Sequence, residues 1–179
     1  LGRHPAAKAL PPLERLLSSP DPETRRESFL AASRYPEERV QELCLERLLD
    51  SDPEVRTASL DTLVKRGSPE LGLRIQERLL ASDRFERLPL LEKRRLFAAV
   101  AKLASESALE RLEGLLNQSQ GREERWFTKR KDRDFFEAVA HGIRMVGSPR
   151  ARQILEEVSR TGGKLARAAC LKELSGARS

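Results

Sequence analysis

A short element returns along this chain at a nearly constant interval. Glu14-Arg15-Leu16-Leu17 recurs as Glu46-Arg47-Leu48-Leu49 and as Glu77-Arg78-Leu79-Leu80, with a looser copy at Glu113-Gly114-Leu115-Leu116. The spacings are 32, 31 and 36 residues. A second marker keeps the same period: Asp21-Pro22-Glu23-Thr24-Arg25 returns 31 residues later as Asp52-Pro53-Glu54-Val55-Arg56. A third, Gly67-Ser68-Pro69, reappears as Gly147-Ser148-Pro149. A period of this length means that one supersecondary unit is copied. A unit that small buries its apolar face only by stacking on its neighbours.

Each unit reads as two helices. Asp-Pro-Glu opens the first: the aspartate is a good N-cap, proline suits the first helical position, and glutamate complements the positive helix end. Val55, Ala58, Leu60 and Leu63 then follow at near-helical spacing. Gly67 stops that helix, and Ser68-Pro69 starts the next. In the second helix Leu71, Ile75 and Leu79 recur every four residues and are expected to face inward with Leu80. The chain is therefore expected to be all-α, an α-solenoid of stacked antiparallel helix pairs forming a single domain over residues 1–179.

The predicted pairs are 21–35 with 37–50, 52–66 with 69–81, 90–104 with 106–118, and 133–146 with 149–160. That makes about four full pairs, with partial units at both ends: a leading helix over 5–18 and a last one over 164–175. An irregular insertion near 118–132 delays the fourth pair. Leu1 in place of methionine and the unpaired end helices are read as marks of a processed chain or a fragment.

Composition narrows the class further. Aromatic residues make up only 4% of the chain, against the many strands and turns of a β-sandwich. Two cysteines, Cys44 and Cys170, exclude a disulfide scaffold and a four-cysteine zinc site. No stretch approaches the ~18 apolar residues of a membrane span, so a cytoplasmic protein is expected. The net charge of +6 is uneven: residues 1–121 hold 20 basic and 20 acidic side chains, residues 122–179 hold 14 and 8. Arginine outnumbers lysine 26 to 8, a usage that points to a bacterial source.

The Asp-Pro-Glu-Val-Arg start and the Gly-Ser-Pro turn together resemble HEAT repeats, in the short variety called bilin-lyase-type HEAT-like repeats. The resemblance is clearest over 14–81. It weakens at Glu92-Lys93-Arg94-Arg95, which lacks the Asp-Pro start, and at Phe136, which stands where Arg25 and Arg56 stand. The resemblance implies an α-solenoid and, most often, a non-enzymatic protein-binding scaffold. It also implies that Arg25 and Arg56, with equivalents expected at Arg94 and Arg167, tie neighbouring units through an acidic or carbonyl partner, for which Asp21 and Asp52 are at hand. Fold alone fixes no substrate.

Residues able to carry chemistry are sparse. His4 and His141 stand far apart, and neither belongs to a spaced set of metal ligands, so no metal and no cofactor is expected. His141, Cys44 and Cys170 lie in apolar helical stretches and read as packed side chains. Gly162-Gly163-Lys164 lacks the full phosphate-loop pattern and reads as a turn between helices. The Glu-Arg column at 14/15, 46/47 and 77/78 reads as exposed pairs between stacked units. The insertion differs, since it holds the only tryptophan beside a basic cluster. Insertions in repeat arrays map to one face, often the binding face. Trp126, Phe127, Lys129, Arg130, Lys131 and Arg133 are therefore the expected binding residues.

Two functions fit. One is a scaffold that docks another protein or a neighbouring domain of its own polypeptide. The other is nucleic-acid binding of the kind found in HEAT-like DNA glycosylases, favoured by the basic last third. The second helices at 71–81 and 106–116 carry no aromatic residues, and residues 1–121 are neutral, so no continuous basic track is expected. The scaffold is the preferred reading, and bilin lyase activity has no residue-level support.

Overall fold

The computed structural model describes residues 5–35, 38–117 and 133–176. Among them the secondary structure is entirely helical. The helices are α1 (Pro5–Leu16), α2 (Pro22–Ala32), α3 (Glu38–Arg47), α4 (Pro53–Arg66), α5 (Pro69–Leu80), α6 (Asp83–Glu86), α7 (Leu90–Ala104), α8 (Glu106–Asn117), α9 (Arg133–Val146), α10 (Pro149–Thr161) and α11 (Lys164–Gly176). Apart from the single turn of α6, each begins and ends within three residues of its sequence-predicted position. Among the described residues, no helix is long and apolar enough to cross a membrane.

The markers behave as their chemistry requires. The Asp21 carboxylate accepts from the Thr24 amide, and that of Asp52 from the Glu54 and Val55 amides. Ser68 and Ser148 cap α5 and α10 by accepting from the amides of Leu71 and Ala151. Gly67 and Gly147 have φ of 61° and 74°, the left-handed conformation that ends a helix and that glycine adopts without steric cost. Gly162 and Gly163 form the turn between α10 and α11.

The helices group into two units, Leu1–Gly67 and Ser68–Ser179. Each is a short run of the same solenoid plan. In the first, α1 packs on α2, α3 on α4, and α2 on α4. Its core holds Leu17, Phe29, Val40, Leu48, Val55 and Leu63, all shielded from solvent. In the second, α5 packs on α7, α8 on α9, α10 on α11, and α7, α9 and α11 lie side by side.

Aromatic rings fill the centre of the second unit. Phe85, Phe97 and Phe135 meet edge to face with centroids 5.9 to 6.4 Å apart, and Phe136 stacks on Phe135 in the same way at 5.6 Å. Phe85 comes from α6, the short turn that periodicity did not reveal. Leu80, expected to face inward, is exposed, while Leu71, Ile75 and Leu79 are buried as the four-residue spacing requires. Leu80 follows buried Gly72 and Gln76 at helical spacing, but it is the last residue of α5, where that row runs out into solvent.

Candidate functional site

The repeated arginine is an internal tie. Arg25 donates from Nη1 to the carbonyls of Ser19 and Pro20, at 2.9 and 3.0 Å. Its Nη2 reaches the Asp50 carboxylate at 2.9 Å and the Ser51 hydroxyl at 3.2 Å. Arg56 donates to the carbonyls of Asp50 and Ser51. Each arginine thus clamps the turn before its own helix, and Arg25 also holds the turn of the following pair. The acid in this tie is Asp50, because Asp21 and Asp52 are committed to capping. Burial of Asp50 opposes its ionisation, yet the Asp52 amide and Arg25 outweigh that and hold its carboxyl below the usual range.

The third copy of the repeated position is Lys93, where Arg94 was expected. The amides of Arg25 and Arg56 donate to the carbonyls of Asp21 and Asp52, and the amide of Lys93 donates to that of Pro89 in the same way. Lys93 therefore holds the position of the repeated arginine. It is 1% exposed, and its ammonium lies 5.9 Å from the Phe85 ring centre. Arg167 holds the equivalent position in α11, its amide donating to the Gly163 carbonyl, but its side chain is exposed.

Arg94 joins a charged cluster where α7, α9 and α11 meet. Its Nη2 lies 3.4 Å from Glu137 and 3.1 Å from Glu173, both buried carboxylates. Glu137 also accepts from Arg133 at 2.8 Å and Lys172 at 2.6 Å. Glu173 accepts from Arg144, and His141 Nδ1 lies 3.3 Å away. Burial opposes ionisation of both glutamates. Lys172 and Arg133 outweigh it for Glu137, and His141 and Arg144 for Glu173, so both carboxyls sit below the usual range. Ionised and fully ligated at neutral pH, they bind helices together. Burial pushes the thiols of Cys44 and Cys170 up to about 12, with Glu173 adding to the rise at Cys170. Neither is a nucleophile in that state.

The Glu-Arg column pairs neighbouring second helices, with partners other than the repeated arginines. Glu14 on α1 meets Arg39 on α3 at 2.8 Å, and Glu77 on α5 meets Arg111 on α8 at 2.9 Å. Arg47 turns instead to Asp50, 3.5 Å away.

Of the sequence-predicted binding residues, Trp126, Phe127, Lys129, Arg130 and Lys131 lie outside the described residues. Arg133 opens α9, with its exposed side chain donating to Glu137.

A groove of about 790 Å³ lies beyond the cluster, between α10, α11 and the turn after α9. Ala151, Leu155 and Leu174 lie along it, with Arg144, Arg152 and Arg160 among its polar residues. Leu171 stands at its edge, 56% exposed. Arg152 and Arg160 share one acid, Glu156, at 3.0 and 4.0 Å. Nothing in the repeat pattern singled out this groove, because its residues are spread over three helices and only Gly147, Ser148 and Pro149 belong to the repeated markers.

No curated protein matches the chain. The family model described as HEAT repeats matches residues 10–88. That match covers the clearest copies of the repeat, and the same helix-pair plan runs on to residue 176. Residues 10–88 of the chain are HEAT repeats.

Proposed function

We propose that the protein is a non-enzymatic interaction scaffold that docks another protein, or another domain of its own polypeptide, in the cytoplasm. The observation that carries this reading is the groove between α10 and α11, where an exposed leucine stands beside apolar residues and arginines. An apolar surface with a charged border is the anatomy of a protein-binding patch. The titratable groups support the absence of catalysis. Glu137 and Glu173 are each neutralised by several cations, and both thiols are held protonated. A general acid or base needs a pKa near the working pH and a free proton site.

The basic last third gives nucleic acid as the rival partner, and salt dependence separates the two. The chain is titrated with fluorescent single- and double-stranded DNA at ~50 and ~200 mM salt, alongside a variant carrying Trp126→Ala and Arg130→Glu. Binding is expected to stay weaker than micromolar at the lower salt and to be the same in the variant. Micromolar binding that collapses at the higher salt and disappears in the variant would make the protein a nucleic-acid binder.

A further inference from the structure

We infer that the groove between α10 and α11 receives an amphipathic helix from a partner, with an apolar stripe flanked by carboxylates. This names the class of partner and rests on the scaffold reading.

The geometry follows from the repeat. Within the second unit α10 packs against α8, α9 and α11. One step further along the stack, the corresponding helix would lie against α10 and α11, and that position is the groove. Leu155, Leu171 and Leu174 offer it an apolar bed. A helix meets such a bed with residues spaced three and four apart, as Leu71, Ile75 and Leu79 do in α5.

Charge selects among amphipathic helices. Residues 149–176 carry six basic side chains and three acidic ones. Of those acids, Glu173 is saturated by Arg94, Arg144 and His141, and Glu156 is shared by Arg152 and Arg160. The arginines therefore outnumber the carboxylates available to them. Second helices within each unit are already joined by a glutamate-arginine pair, Glu14 with Arg39 and Glu77 with Arg111. An incoming acidic helix repeats that chemistry with the polarity reversed, its glutamates meeting Arg152 and Arg160.

The test uses a fluorescent synthetic helix of about four turns, with leucines spaced as Leu71, Ile75 and Leu79 and glutamates on both flanks. A second peptide keeps the leucines and carries lysines in place of the glutamates. The acidic helix is expected to bind at least ~10-fold more tightly than the basic one. Leu171→Asp is expected to weaken it by ~10-fold or more, and Arg152→Glu with Arg160→Glu to reverse the preference between the peptides. These positions are exposed, so unchanged helical content and melting temperature accompany the expected losses.

No binding, equal affinity for the two peptides, or binding untouched by Leu171→Asp overturns the inference. Self-association of the chain that Leu171→Asp abolishes also overturns it and assigns the groove to a second copy. Displacement of the peptide by duplex DNA overturns it in favour of nucleic acid. Failure of the peptide alone leaves the scaffold reading in place, since that reading is tested on DNA and on cross-linked partners.

Discussion

Replacing Arg25 with methionine is expected to lower the stability of the first unit by about 3–5 kcal/mol at neutral pH, the usual cost of removing one partner from a buried ion pair. Both side chains are nearly inaccessible, at 9% exposure for Arg25 and 5% for Asp50. The substitution removes four hydrogen bonds and leaves the buried Asp50 carboxylate with the Asp52 amide and, at 3.5 Å, the weaker contact to Arg47. Urea unfolding followed by helical circular dichroism measures the loss.

The same variant carries a pH signature. In the parent protein Asp50 titrates below its unfolded value, so its contribution is present above about pH 4 and is lost as the pH falls through the folded value. Without Arg25 the buried carboxyl is easier to protonate, and acid relieves the under-compensated charge. The gap between variant and parent is therefore expected to be full at neutral pH and to narrow in acid. Adding Asp50→Asn to Arg25→Met is expected to recover part of the loss at neutral pH. A gap independent of pH would assign the effect to lost packing.

A second large effect is expected at Gly142, where α9 crosses α7. A Cβ placed there would lie 2.9 Å from the Cβ of Phe97 and 3.1 Å from its carbonyl oxygen. Backbone cannot yield as a flexible side chain does, and Phe97 is itself locked between Phe85 and Phe135. Gly142→Val should force the two helices apart and cost about 3 kcal/mol or more. Gly114, on the exposed face of α8, has nothing within 4 Å of the same added atom. Gly114→Ala should therefore stabilise the protein by roughly 0.5–1 kcal/mol through helix propensity alone. Thermal melts of the two variants check the opposite signs. A Gly142→Val protein that melts with the parent would mean that α7 and α9 are not in this close contact.

The contrast between these sites shows what the sequence makes legible. Asp21, Asp52, Ser68 and Ser148 announce their helices because capping is local and the cap lies next to the helix it starts. Gly67 and Gly147 announce the ends for the same reason. Asp50 was hidden because it occurs in one copy only: its counterparts in the neighbouring units are Ser18 and Ala81. Lys93 was missed by one residue because Pro89, with no capping side chain, replaces the Asp-Pro start that sets the register. The Arg94–Glu137–Glu173 cluster draws on three helices spread over 80 residues, a separation that no short-range pattern spans. The groove needed the packing of α10 on α11 to exist at all.

The central claim, that this helical-repeat protein docks a protein partner through α10 and α11, is tested most directly by site-specific photo-cross-linking in the cells that make it. A photoreactive residue is placed at Leu171 and, as the control, at Gly114. The account predicts one discrete protein adduct at Leu171, none at Gly114, and competition of that adduct by the acidic helix. Adducts to nucleic acid at Leu171, or the same set of adducts at both positions, would contradict it.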